Sequence, residues 1–163
     1  MFRELRRWKQ GLPREKAMEI LKRNTSGTLA LMGEDEYPYA VPLSYVCVDD
    51  KLYFHSSKDG YKLDAIKKHE KASFCVIDQD KIVPEKFTTH YRSVIAFGKT
   101  RLLDDEKEMR RIATVLGMKY SSDYADKIPA EIDAYMKRLA IIEMTIEHIT
   151  AKESLGLMNQ NAD

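Results

Sequence analysis

The chain has 163 residues, 44% of them hydrophobic and 33% charged, and a formal net charge of +1. This balance excludes an intrinsically disordered chain, and near-neutrality argues against broad electrostatic binding of nucleic acid. No uninterrupted run of AVILMFWYC residues exceeds four, so no membrane-spanning helix and no signal-peptide core is expected.

The length suits one domain over 1–163. Residues 1–25 read as an N-terminal helical arm. The first 23 residues carry eight basic and three acidic side chains, +5 there against −4 for the remainder. A solvated amphipathic face accounts for this. Pro13 opens a helix in which Ala17, Ile20 and Leu21 repeat at helical spacing, ending near Asn24. Trp8, the only tryptophan, is expected to pack this arm or to cover a pocket.

Six short apolar runs follow, at Leu29–Met32, Tyr45–Val48, Leu52–Phe54, Phe74–Ile77, Val94–Phe97 and Leu139–Ile142. Turn signals such as Gly33-Glu34-Asp35 and Asp49-Asp50 bound most of them, so they read as strands. Pro42 falls in the second strand and implies an edge, a bulge or a bend, because proline cannot donate to a ladder. A short helix begins near Asp59-Gly60 and carries Leu63 and Ile66 to about His69. Barrel strands occupy 26–103 and 139–150, with a helical insertion over 104–138. One helix of the insertion follows Asp104-Asp105, with Glu106 and Glu108 suiting the dipole of its first turn. A second begins at Pro129. In the last strand Ile142, Met144 and Ile146 face the core, and Glu143, Thr145 and Glu147 face solvent. The tail Asn159–Asp163 is expected to fray. Short strands joined by hairpins, without regular βαβ alternation, predict a mainly β fold, an antiparallel barrel with added helices.

The familiar chemical motifs are absent. The seven glycines lie too far apart for a dinucleotide loop or a P-loop. There is no G-x-S-x-G elbow and no H-E-x-x-H pattern. His55, His69, His90 and His148 form no i,i+3 or i,i+4 pair, so no metal site is expected. His69 and His148 are expected at the surface. Cys47 and Cys75 each sit in an apolar run and read as buried structural thiols. A reducing, cytoplasmic setting is the expectation.

The stretch from Leu52 to Leu63 carries the chemistry. A strand ends in His55-Ser56-Ser57, Gly60 marks a turn, and Lys62 falls in the first turn of a helix. Helix N-terminal N–H groups, serine hydroxyls and an ammonium converging on one place make an anion site. Ser57 or Asp59 capping a surface helix, with Lys62 solvated, fits the same spacing.

Four blocks then act together: Tyr37-Pro-Tyr-Ala-Val-Pro-Leu-Ser-Tyr45; Tyr53-Phe-His-Ser-Ser-x-x-Gly-x-Lys62; Phe74-Cys-Val-Ile-Asp78; and Val83-Pro-Glu-Lys-Phe-Thr-Thr89 with Tyr91-Arg-Ser-Val94. Over roughly residues 3–155 the chain resembles the nitroimidazole-resistance (Nim-type) family. That family lies within the pyridoxamine 5'-phosphate oxidase-like FMN-binding split barrels. The resemblance implies a homodimer with FMN in grooves at the subunit interface. It implies that His55, Ser56, Ser57 and Lys62, with Gly60 at the turn, hold the phosphate and ribityl chain. The backbone of Val41, Pro42, Leu43, Ser44 and Tyr45 would run along the isoalloxazine edge. Tyr91, Arg92 and Ser93 would approach the ring from the partner, with Phe87 and His90 as further pocket candidates. His55 would be the catalytic hydrogen-bond donor or proton source.

Two departures stand out. The oxidases carry Ser-Arg-Lys where this chain has Gly60-Tyr61-Lys62, so one phosphate cation is missing, and His55 or Arg92 is the candidate replacement. The oxidases also end in a Trp/Arg-Leu-x-Pro type segment, absent here, so the chain is not expected to be a vitamin B6 oxidase. The expectation is an FMN-dependent oxidoreductase that reduces small acceptors such as nitroaromatics, with NAD(P)H as a candidate donor. The alternative is a non-enzymatic flavin- or haem-binding module, with His55 or His90 as the axial ligand.

Overall fold

The computed structural model describes residues 2–160. Eight strands form one antiparallel sheet: β1 (Gly11–Leu12), β2 (Ser26–Met32), β3 (Pro38–Ser44), β4 (Val46–Val48), β5 (Lys51–Ser57), β6 (Lys71–Val83), β7 (Thr88–Leu102) and β8 (Leu139–Glu153). Their order is β3-β2-β6-β7-β8-β5-β4, with β1 added on β8. Five α-helices accompany them: α1 (Arg14–Arg23), α2 (Tyr61–Lys68), α3 (Glu106–Ser121), α4 (Ile128–Tyr135) and α5 (Leu155–Gln160). Together they make the split-barrel form of a mainly antiparallel β fold. Among the described residues no helix is long and apolar enough to cross a membrane.

The predicted helices form where their caps place them. Pro13 precedes α1, and the Asp105 carboxylate accepts the Glu108 N–H at the start of α3. Pro42 lies on β3, which ends the sheet order and so tolerates a missing donor. The strand count is eight rather than six for two reasons. The two-residue β1 carries no apolar run. The predicted second strand divides at Tyr45, whose backbone bonds leave the sheet. The Tyr120 hydroxyl accepts the Tyr45 N–H at 3.0 Å, and the Lys119 ammonium donates to the Tyr45 carbonyl at 3.1 Å.

The inner core is built from Leu29, Leu52, Phe54, Phe74, Val94, Ile142 and Met144, all fully buried. Tyr45, Phe54 and Phe74 form an edge-packed aromatic cluster, with 4.8 Å between the first and last rings. The Tyr45 hydroxyl donates to Leu21 O at 2.6 Å and so ties α1 to the β3–β4 junction. Burial, with Cys47, Tyr120 and Asp78 nearby, pushes this phenol well above its usual range.

A second core lies on the outer face of β4, β5 and β8. There α3 brings Met109, Ile112 and Leu116 against Val46, Tyr53, Leu103 and Ile141. This layer corrects the expectation for Glu143, which is only 2% exposed rather than facing solvent. Glu143 survives burial by accepting from Arg101 at 2.7 Å, Tyr53 at 3.0 Å and Lys51 at 3.1 Å. Burial alone would raise its carboxyl; these bonds hold it below the usual carboxylate range.

Gly98 sits where β7 and β8 press together at an irregularity in their register. A Cβ there would lie 1.9 Å from Thr145 O, so only glycine permits the approach. At the chain end, Asn159 and Gln160 belong to α5, against the expected fraying; residues 161–163 lie outside the described residues. Trp8 is 72% exposed at the start of a short 3-10 helix, although the arm itself packs on the barrel through Phe2 and β1. His148 is half-buried, because Phe2 stacks on it at 4.5 Å and Phe97 packs beside it.

Candidate functional site

The end of β5 and the start of α2 carry the anion-site residues. His55 and Ser57 are exposed and Ser56 is half-buried. They pair with Ile141, Leu139 and Ala140 of β8, which fixes their direction. The Lys58 N–H then donates to Arg138 O at 3.1 Å and ends the ladder. Gly60 heads α2 with φ +128°, a conformation that L residues rarely adopt. The Tyr61 hydroxyl accepts the Glu34 N–H, and its ring meets Tyr39 edge-on at 4.7 Å. These contacts pin the start of α2 to the β2–β3 turn.

No side chain caps α2, so its first N–H groups are available to an anion. Lys62 is half-buried beside them and, among the described residues, has no ion-pair partner. Burial pushes its ammonium below the usual lysine range. A partly desolvated cation beside open helix N–H groups makes an anion there electrostatically favourable.

Along β3, Val41 and Leu43 lean toward the core while Pro42 and Ser44 are exposed. The strand is terminal, so its outer backbone edge is unpaired in the ladder. Tyr45 differs: Tyr120 and Lys119 already take its N–H and C=O, leaving no free backbone group.

Tyr91, Arg92 and Ser93 lie elsewhere. Within one chain His55 pairs with Ile141 of β8, whereas Arg92 pairs with Glu153. Twelve residues of strand separate those two positions, on the order of 40 Å of strand path. The chain therefore does not bring these groups together by itself. Arg92 donates to Glu153 at 2.7 Å and to Asp78 at 3.3 Å. It is engaged by two carboxylates and is no replacement for the missing phosphate cation. Asp78 also binds Arg23 and Asn24. Burial alone would raise the Asp78 carboxyl, but these bonds hold it below the usual range.

Other candidates are placed as follows. His90 is 6% exposed beneath α5, and a Cβ at position 156 would reach within 2.2 Å of its Nε2. It is neither a pocket wall nor an open axial ligand. Phe87, expected at the flavin face or in core or dimer packing, is 99% exposed at the β6–β7 turn, with a φ of 48°, so it lies in no core of this chain. Cys47 and Cys75 are half-buried rather than buried; burial pushes the Cys47 thiol up to about 11, so it stays unreactive.

A cavity of about 700 Å³ adjoins His55, Ser56 and Ser57. Its opposite wall comes from α3, α4 and the 3-10 turn Ser122–Lys127 that joins them. Tyr124, Lys127, Glu131, Tyr135 and Arg138 line it. Sequence reasoning assigned these five no role. The signal available was the grouping of Tyr124, Lys127, Tyr135 and Arg138 at the end of the helical insertion, beyond the apolar stripe of α3.

Residues 13–153 match the family model described as pyridoxamine 5'-phosphate oxidase. No curated protein matches the chain. Among solved structures, a candidate 5-nitroimidazole antibiotic resistance protein from Bacteroides thetaiotaomicron is similar with 18% identity and a TM-score of 0.72, over 88% of this chain and 86% of that one. A FAD-binding protein from Mesorhizobium loti shares 23% identity at a TM-score of 0.60, over 88% and 96% respectively. A FAD and haem binding protein from Mycobacterium smegmatis shares 20% identity at a TM-score of 0.73, over 90% and 74%. At these identities the likeness is one of fold.

Proposed function

This chain belongs to the pyridoxamine 5'-phosphate oxidase family, and from that premise we propose that it is a flavoprotein that holds FMN, or the FMN portion of a larger flavin, and reduces small acceptors. The observation that carries the reading is Lys62, desolvated and without an anion beside the uncapped first turn of α2. Lys62, the Ser56 and Ser57 hydroxyls and the α2 N–H groups hold the flavin phosphate. Gly60 gives the backbone the turn that lets them converge. The outer edge of β3, from Val41 to Ser44, offers unpaired backbone groups to the polar edge of the ring.

The flavin, when bound, supplies the electron chemistry, and the protein supplies position and electrostatics. His55 stands exposed at the strand end, where it donates a hydrogen bond or a proton to an acceptor. Nitroaromatics are the acceptors we favour, in line with the name of the Bacteroides protein of like fold. A nicotinamide nucleotide serves as donor.

The working unit is a homodimer. Ile77, Ile82 and Phe87 expose 64%, 72% and 99% of their surface on the β6–β7 arm, which suits contact with a second copy. The same contact brings Tyr91 and Ser93 to the partner's flavin, which the path along β8 denies them within one chain.

The test is the absorbance spectrum of the purified protein, before and after loading with FMN and removal of the excess. Retained flavin bands at about one per chain support the reading. A spectrum that stays bare overturns it, and a haem band moves the assignment to the haem module with His55 as ligand.

A further inference from the structure

We propose that the cavity between the end of β5 and the α3–α4 pair is a subsite for the adenosine phosphate portion of a nucleotide. The inference rests on the flavin reading for its neighbourhood at Ser56–Ser57, but not for its chemistry.

The argument starts from charge. Lys127 and Arg138 line the cavity, and neither has an ion-pair partner among the described residues. Of the acids on α4, Asp133 is held by Arg110, and Glu131 lines the cavity itself. Each free cation lies over a tyrosine. Lys127 Nζ is 5.1 Å from the Tyr124 ring centroid, and the Arg138 guanidinium carbon is 5.3 Å from that of Tyr135. The rings are 59% and 53% exposed. Each is held by a cation and still shows surface on which a planar group can stack.

Glu131 decides between ligand classes. A simple aromatic anion would meet repulsion from this carboxylate, the acid in the lining. A nucleotide offsets it, because its ribose hydroxyls or exocyclic amine can donate to Glu131 while its phosphate reaches the cations. Rings for a base, a carboxylate for a sugar or amine, and unpaired cations for a phosphate form one set. The walls are also built to stay apart: Leu116 and Ile128 are buried beneath them, and Gly117 lets α3 and α4 pack closely behind the cavity.

Two nucleotides could bring this moiety. It is either the adenylate half of a dinucleotide flavin, with its FMN half at Lys62, or the adenosine end of a nicotinamide donor. The cavity borders His55 and the phosphate-holding serines, so it serves either.

The test is calorimetric titration of the FMN-loaded protein with 5'-AMP. AMP should bind at about one per chain, and adenosine roughly tenfold more weakly. Lys127→Ala and Tyr124→Ala, both at exposed positions, should each weaken AMP about tenfold without lowering the melting temperature or FMN affinity. Failure of AMP to bind, or equal binding to both variants, overturns the proposal. FAD held more tightly than FMN, with the advantage lost in Lys127→Ala, assigns the site to the flavin's own adenylate. Equal FAD and FMN affinity, with a raised KM for NADH in Lys127→Ala, assigns it to the donor. Chain that holds no flavin yet binds AMP in a Lys127-dependent way sinks the flavin reading alone. Chain that holds FMN and ignores AMP sinks the subsite alone.

Discussion

Tyr120 reaches from the end of α3 to complete the backbone of Tyr45. Its hydroxyl accepts the Tyr45 N–H at 3.0 Å, and its one proton lies within reach of both the Thr25 carbonyl and the Tyr45 carbonyl, the latter at 2.7 Å. The chain breaks from β3 to β4 at that point. One side chain thus satisfies a strand junction that the sheet abandons, and it fastens the helical insertion to the barrel. Tyr120→Phe removes the acceptor and leaves a buried N–H unpaired. We expect a loss of roughly 1–3 kcal/mol in denaturant unfolding. At this chain length each kcal/mol lowers Tm by about 2–4 °C. An unchanged midpoint would show that water replaces the hydroxyl without cost.

Glycines 60 and 98 should fail differently. Gly98→Ala drives a Cβ into Thr145 O and forces β7 from β8, so little folded protein is expected. Gly60→Ala meets no atom within 4 Å, but its φ of +128° is strained for any L residue. The cost there is about 1–3 kcal/mol. Folded Gly60→Ala should also hold flavin less well, because α2 no longer starts where Lys62 needs it. Comparing soluble yield and thermal midpoint of the two variants checks both statements.

Acidification should weaken the fold through Asp78 and Glu143. Both carboxyls are held below their ordinary values by paired cations. Their contribution is present above the unfolded-state carboxylate range and is lost as pH falls through the lowered native values. Stability measured from neutral pH downward should therefore fall with a proton uptake on unfolding. Glu143→Gln should flatten that slope and cost on the order of 1–3 kcal/mol at neutral pH. The exposed parts of Arg101 and Lys51 can turn to water, which keeps the cost from being larger.

Lys62→Ala should weaken FMN by about 10- to 150-fold, the value of one charge-assisted bond to phosphate of roughly 1.5–3 kcal/mol. Riboflavin, which lacks the phosphate, should lose nothing. Fluorescence titration separates the two, and an equal loss for both would place Lys62 away from the phosphate.

The local features were legible in the sequence because their causes are local. Pro13 and Asp105 start helices through their own geometry, Pro42 marks an edge by the donor it lacks, and the His55–Lys62 block places a strand end before a helix start. The blocks around Tyr37–Tyr45 and Val83–Val94 pointed to the family that the match over residues 13–153 establishes. What the tertiary structure alone decided depends on which face meets which. Glu143 alternates as a solvent-facing residue should, yet α3 lies over it and three donors make its burial tolerable. Arg92 reads as a free cation until Asp78 and Glu153, distant in sequence, close on it. Tyr124, Lys127, Tyr135 and Arg138 have no common role in the sequence until the insertion folds back beside His55. Periodicity records how a segment presents its two sides; it holds no record of what a segment fifty or more residues away will lay against either one.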